Sequence, residues 1–285
     1  MRDQDCIDFL LWALPRLGLR WPGYRKVRGT VCKRVTRRIR ELCLADLDAY
    51  RSRLEADAAE WVRLDAMCRI PISRFWRDRA VFDFLAGDVL PGLAAAAGSA
   101  GRREVRAWSA GCASGEEPYS LRLAWGLQAE RSAPPIRIAI LATDADATML
   151  ARAHTGLYQA SSLRHLPAAL AERAFTRDDD LYQIRPELRR DIIFVQQDIR
   201  AESPAGPFDL ILVRNLIFTY FDAPSQRALL ARLCTRLVPG AALVIGRHET
   251  VPNPHDDLIQ WDGPAPIFQF RRKVAPNAGA RSPME

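Results

Sequence analysis

The segment Trp108-Ser-Ala-Gly-Cys-Ala-Ser-Gly-Glu-Glu-Pro-Tyr119 decides how this chain is read. The run Val105–Ser109 leads into a loop bounded by Gly111 and Gly115, and Pro118 stands where the chain leaves that loop. A short apolar run bounded by turn residues reads as a buried strand. Proline fits the first turn of a helix, where its missing N–H would have no partner anyway. Strand, glycine-bounded loop and helix N-terminus together let backbone come close to a bound ligand.

Outward from this point the chain alternates. Strands are expected at Ile136–Ala142, Ile192–Gln196, Phe208–Val213, Ala241–Ile245 and Ile267–Arg271, with helices at Pro118–Ala129, Ala147–Thr155 and Pro224–Leu237. Such alternation predicts an α/β fold whose mostly parallel sheet is covered on both faces, with ligands at the carboxyl ends of its strands. Before the sheet the pattern is helical: Ile7, Leu10, Leu11 and Leu14, then Val31, Val35, Ile39 and Leu42, then Leu47, Tyr50 and Leu54 recur at helical spacing. The expected organisation is a small all-helical domain over 1–72, a linker and helix over 73–104 capped by Asp78, and the sheet domain over 105–273. A tail rich in Pro, Gly, Ala and Ser over 274–285 is expected to be disordered.

Composition narrows the class. The chain has 285 residues, 48% hydrophobic, and apolar runs such as Phe9–Leu14 are too short to span a bilayer. The start Met1-Arg-Asp-Gln-Asp5 lacks signal-peptide features, so a soluble cytoplasmic protein without membrane insertion is expected. Six scattered cysteines include no CxxC pair, and four histidines are dispersed, so neither a metal site nor a disulfide framework is expected. The net charge is +7, and between Arg20 and Glu41 nine basic residues face one acid. That block suits an acidic partner or a nucleic-acid backbone, or is a solvated helix face.

The strand ends carry the chemistry. Gly111 can take positive φ beside a ligand, and Glu117 at a helix start can accept from a ligand ammonium or act in helix capping. Asp144, ending the second strand, can accept from both hydroxyls of a ribose, while Asp146 falls where it caps the next helix. After the third strand Asp198 can reach an adenine amino group and Ile199 can pack on the ring. Arg214 and Asn215 leave the fourth strand toward the crevice, although Arg214 could instead pair with Glu249. No full GxGxxG is present, which argues against NAD, and no Walker lysine follows Gly115. This set predicts a site for S-adenosylmethionine (SAM). Arg77, in Ser73-Arg-Phe-Trp-Arg77, offers a fork of donors to a substrate carboxylate or forms a surface salt bridge. Esterifying a carboxylate needs no general base, because the acceptor is already an anion, and catalysis reduces to in-line positioning.

Taken together, these residues resemble the chemotaxis receptor methyltransferases, the CheR family, over roughly residues 5 to 272. The likeness rests on Ser73-Arg-Phe-Trp-Arg-Asp78, Trp108–Ser120, Ala142-Thr-Asp144, Gly156-Leu-Tyr158, Phe208-Asp209, Arg214-Asn215, Tyr220-Phe-Asp222 and Gly246-Arg-His-Glu249. It implies a Rossmann-like SAM-dependent methyltransferase that esterifies glutamate side chains of a protein, leaving S-adenosylhomocysteine (SAH). It implies cofactor contacts at Ser73, Arg77, Glu117, Asp144, Asp198, Ile199, Arg214 and Asn215, beside the Gly111 already read as approaching the ligand. The family's arginine near the methyl falls on Arg77 and its aromatic partner near Tyr220. The departures are an aspartate at Asp198 and a proline at Pro71 where asparagines are usual, and a tyrosine one residue late, since Thr219 stands four after Asn215. Members that tether to a receptor's C-terminal peptide carry a glycine-containing β-insertion. The segment Thr176–Gln183 is short and lacks glycine, so no tether is expected. The expected partner is an acidic protein or peptide substrate contacted by the basic helix around Lys33–Arg40. Three other readings stay open: the same chemistry on a small molecule or modified peptide, a SAM-binding scaffold without turnover, and a nucleic-acid methyltransferase. The last is disfavoured because Asn215-Leu-Ile-Phe218 lacks the prolines of an Asn-Pro-Pro-aromatic turn.

Overall fold

A computed structural model describes residues 2–129, 135–252 and 257–271. The tail expected over 274–285 lies outside the described residues. The chain begins with α1 (Asp3–Ala13), α2 (Trp21–Tyr24), α3 (Arg28–Glu41), α4 (Leu47–Ala56) and α5 (Ala58–Cys68). Asp46 and Asp57 cap α4 and α5, each accepting a backbone N–H at 2.9 Å. Packing of α1 on α3 brings Cys6 and Cys32 into a disulfide, Cα–Cα 5.9 Å, against the expectation of none. The two are 26 residues apart, so local spacing carries no sign of the pair.

Much of the basic block is spent inside the fold. Arg28 pairs with Asp3 at 2.8 Å, Arg34 donates to the carbonyls of Met67 and Arg69, and Arg38 forks onto Glu60 at 2.9 and 2.8 Å. Glu60 is buried and also accepts from the Tyr50 hydroxyl. Arg25, Lys26, Lys33 and Arg40 remain exposed.

Next, α6 (Arg79–Phe84) runs through a π-helical turn at Leu85–Val89 into α7 (Leu90–Ser99). Joined, Arg79–Ser99 makes 21 helical residues, with mean hydropathy 1.5 over its most apolar 18-residue window, long and apolar enough to cross a membrane. Uninterrupted apolar runs, on which the expectation of no such segment rests, do not reveal it. Its apolar side is core, however: Phe82, Leu85, Val89, Leu90 and Ala97 are fully buried. Asp78 does not cap this helix. It sits at φ 60° with no capping bond, and its carboxylate turns to Arg214.

The sheet domain comes after it as β1 (Glu104–Ala110), α8 (Glu116–Ala129), β2 (Arg137–Asp144), α9 (Ala147–Thr155), β3 (Leu157–Gln159), α10 (Ala160–Leu163), α11 (Ala168–Ala174), β4 (Phe175–Asp178), β5 (Leu181–Ile184), β6 (Ile192–Gln196), β7 (Phe208–Leu212), α12 (Ile217–Tyr220), α13 (Ala223–Cys234), β8 (Leu237–Val244), β9 (Leu258–Gln260) and β10 (Ile267–Phe270). The main sheet has the order β6-β2-β1-β7-β8-β10-β9, with the first five strands parallel and the last two pairings antiparallel. It is the α/β sheet that the alternation predicts. Strand order reverses at β1, which has β2 on one side and β7 on the other, and a crevice opens where the two directions part. Its two faces bury separate cores. α6 to α8 cover one face, while α1 to α5 and α13 cover the other with Trp108, Ile211, Leu243 and Ile245.

β3, β5 and β4 form a separate three-stranded antiparallel sheet, which the sequence pattern does not show. The segment Thr176–Gln183 therefore does build a β-hairpin. Its turn takes the left-handed conformation at Asp179, φ 50°, in place of the glycine such a turn favours.

Candidate functional site

Every strand that ends at the crevice delivers a polar group to it. After β1 the chain turns at Gly111, φ 77°, and Gly111 and Cys112 both donate to the Thr143 carbonyl at 2.7 and 3.0 Å. A Cβ on Gly111 would sit 2.6 Å from Leu216 Cδ2, so glycine lets two loops close on each other. The same loop sends the Ala113 N–H to Asp144 Oδ2 at 2.8 Å, while Asp144 Oδ1 accepts from the Asp146 N–H at 2.8 Å. Asp144 is thus held by backbone with further lone pairs free. Burial raises its pKa, against the hydrogen bonds that favour the carboxylate. Asp146 caps α9 through the Thr148 and Met149 N–H groups.

Glu117, in the first turn of α8, accepts from Ser109 Oγ at 2.8 Å and from Arg214 Nη1 at 3.1 Å. Burial lifts its pKa, and the nearby Arg214 charge opposes that. Arg214 is itself buried beneath the cleft. Its Nη2 donates to Asp78 at 2.9 Å and to the Arg77 carbonyl at 2.7 Å, and its guanidinium lies over the Phe82 ring at 5.1 Å. The pairing of Arg214 with Glu249 weighed from sequence is not formed. Glu249 instead accepts from the backbone N–H of Asn215 at 2.8 Å, from that of Gly246 at 2.6 Å and from the Thr219 hydroxyl at 2.6 Å. This anchors Asn215 at φ 55°. Thr219, four residues after Asn215, faces Glu249, and Tyr220, one further on, lines the cleft.

One cleft is lined by Ser73, Arg77, Gly111, Glu117, Asp144, Asp198, Ile199, Arg214, Asn215 and Tyr220, so all ten residues singled out from sequence come together. Arg77 donates to the Ile72 carbonyl at 2.6 Å, and its charge acts on the Tyr220 hydroxyl, whose pKa burial raises. Asp198 is pushed up by burial, but hydrogen bonds from Arg200 hold its carboxyl below the usual range. Sequence reasoning misses Gln197, whose buried Oε1 has no partner among the described residues. It also misses the wall contributed by the helical region through Leu19, Tyr24, Asp65 and Arg69. No local pattern marks that wall, since its residues meet the strand ends only through tertiary packing.

The acceptor set fits an adenosyl sulfonium carrying an amino-acid tail: a carboxylate with free lone pairs for a diol, a largely buried carboxylate for an ammonium, and an acceptor-lined far end for a base. A family model described as CheR methyltransferase, SAM binding domain, matches residues 72–265. The chain is 36% identical over 203 residues to the chemotaxis protein methyltransferase of Listeria monocytogenes, covering 71% of this chain and 74% of that protein. It is 32% identical over 236 residues to the chemotaxis protein methyltransferase of Salmonella typhimurium, covering 79% and 77%. An uncharacterized 104.1 kDa protein of Rhodobacter capsulatus is 32% identical over 247 residues, which covers 87% of this chain but only 26% of that protein.

Proposed function

The chain belongs to the CheR methyltransferase family, and on that premise we propose that it transfers the methyl group of SAM to carboxylate side chains, most directly glutamate of a protein substrate. The observation that carries the reading is the shared cleft in which Glu117, Asp144 and Tyr220, following successive parallel strands, meet Arg77 from the segment before α6.

When bound, SAM supplies an electrophilic methyl on a sulfonium. Asp144, Glu117, and Asp198 with Ile199 would hold the ribose, the ammonium and the adenine respectively. Arg214 opposes the rise that burial causes in the Glu117 pKa and so favours the carboxylate form that an ammonium would meet. Gly111 and Asn215 fix the loops at the methyl end, the latter through Glu249. Arg77 steers the acceptor carboxylate, and the Tyr220 ring shapes the path beside it. With the cofactor held by these residues, Arg77 and Tyr220 would set an acceptor carboxylate oxygen in line with the methyl, for transfer that would leave the C–S electron pair on the sulfur of SAH. No proton has to be removed, so the protein's work is alignment and exclusion of water.

The substrate face is read as acidic, meeting the exposed Arg25, Lys26, Lys33 and Arg40 at and beside α3, and the site of action as the cytoplasm. The test is incubation with SAM labelled in the methyl group and an acidic receptor-type protein. Label that is released as methanol by mild base supports the reading, with Asp144→Ala as the inactive control. Transfer only to small molecules, or to no acceptor, would overturn it.

A further inference from the structure

At the base end of the cleft Asp198 does not stand alone. Arg200 Nε and the Arg200 backbone N–H reach Asp198 Oδ1 at 3.1 and 2.9 Å, and Nη2 reaches Oδ2 at 2.7 Å. The other edge of the same guanidinium forks onto Asp65 of α5, with Nη1 and Nη2 each 2.6 Å from a carboxylate oxygen. The plane lies 5.8 Å from the Phe221 ring centroid, and Arg232 of α13 holds the carbonyls of Ile199 and Arg200 from behind. We propose that Arg200, stretched between Asp198 and Asp65, is a positioning residue that sets the base preference of the cofactor cleft. The proposal rests on the reading of that cleft as a SAM site.

Lone pairs limit what Asp198 can accept. An ionised carboxylate offers about four acceptor directions. Arg200 fills both on Oδ1 and one on Oδ2, while Arg69 Nη2, at 3.9 Å from Oδ2, is too far to fill the last. One acceptor direction remains. The fork fixes the carboxylate plane, so that direction is fixed as well. The same hydrogen bonds keep Asp198 ionised, and an ionised carboxylate only accepts. A purine with a 6-amino group meets this acceptor with an N–H. A 6-oxo purine meets it with an oxygen, acceptor against acceptor. Released from the fork, the carboxylate could turn toward the N1–H that a 6-oxo purine carries, and the discrimination would fade. Asp65 belongs to the helical region, so base selection depends on a residue remote in sequence from every strand end.

The test compares binding of S-adenosylhomocysteine and S-inosylhomocysteine to the full chain by calorimetry. Wild type should prefer the adenosyl compound by about tenfold or more, the loss expected when one charge-assisted hydrogen bond is replaced by an unpaired acceptor. Arg200→Ala should bring the ratio of the two dissociation constants close to one. Arg200→Lys should fall between, because a single ammonium cannot fork onto both carboxylates. Asp65→Asn is nearly isosteric and carries the test if Arg200→Ala fails to fold; it should lower the ratio while leaving Asp198 in place. A ratio of affinities does not move when a variant is merely less folded. An unchanged ratio in Asp65→Asn and in the Arg200 variants overturns the positioning role while SAH binding stands. Wild type that binds neither compound overturns the cofactor reading itself.

Discussion

Replacing Arg214 by methionine tests the electrostatic design of the cleft floor. The arginine side chain is 2% exposed and bridges Asp78 at 2.9 Å and Glu117 at 3.1 Å. At those separations and an effective dielectric of about 20, each pair is worth roughly 5 kcal/mol before desolvation. Removing one partner of such a buried cluster costs a net ~3–5 kcal/mol, because the others stay buried without a counter-charge. The thermal midpoint should therefore fall on the order of 10 °C. Glu117 would relieve part of the penalty by taking a proton, since burial already lifts its pKa and Arg214 opposes that rise. A neutral Glu117 no longer attracts an ammonium, so SAH affinity near neutral pH should drop about 10- to 100-fold, the worth of one charged hydrogen bond. Calorimetry across pH reads this out. Affinity in Arg214→Met should recover toward wild type as pH rises, because Glu117 ionises again, and the recovery should be steeper than in wild type. A variant that binds SAH with wild-type affinity and wild-type pH dependence would refute the role given to Arg214 and Glu117.

The same geometry sets other outcomes. Asp144→Ala should weaken SAH about 100-fold by removing two charge-assisted bonds to a diol, read as a raised KM for SAM, and should lower the midpoint as well, because the Ala113 and Asp146 N–H groups lose their acceptor. Gly246→Ala would place a Cβ 2.5 Å from Asn215 Nδ2 and 2.7 Å from Glu249 Oε2; kcat should fall about tenfold or more as the Asn215 anchor shifts. Asp209, buried, takes a fork from Arg102 at 2.7 and 3.0 Å and the Arg106 N–H at 2.9 Å. Asp209→Asn should cost about 2 kcal/mol in a denaturant titration with no effect on SAH affinity. Glu117 and Asp144 both have pKa values raised in the fold. Their contribution to stability is therefore full below the ordinary carboxylate range and is lost as pH rises through the raised values. SAH favours the ionised forms, so the gain in thermal midpoint on adding SAH should widen as pH rises over that window.

The sheet and the cleft are legible in the sequence because they obey local rules. A strand that ends in glycine or an acid announces itself within a few residues, and Gly111 after β1, Asp144 ending β2 and Asp198 after β6 all line one crevice. Boundaries slip where side chains alone are counted: β8 begins at Leu237, inside the expected helix, four residues before the expected strand. The small sheet escapes notice because its strands are three or four residues long, too short for alternation to register. Charge is the poorest guide. Arg34 and Arg38 look like a binding face in sequence, yet they satisfy carbonyls and a buried glutamate. Burial of a partner such as Glu60 cannot be read from its type, since isolated acids are mostly exposed.

Arg20 ties the helical region to α12: its guanidinium holds the carbonyls of Phe218 and Thr219, and its own N–H meets the Tyr220 carbonyl at 2.9 Å. Leu19 bridges Phe221, Asp222 donates to the Gly18 carbonyl at 2.9 Å, and Gly23 packs so closely on Thr219 that any side chain there would collide. A chimera that grafts a relative's first five helices onto this sheet would thus have to import residues 216–222 as well. Left behind, that turn would lose the latch for its carbonyls, and the tyrosine it carries would no longer be held at the cleft.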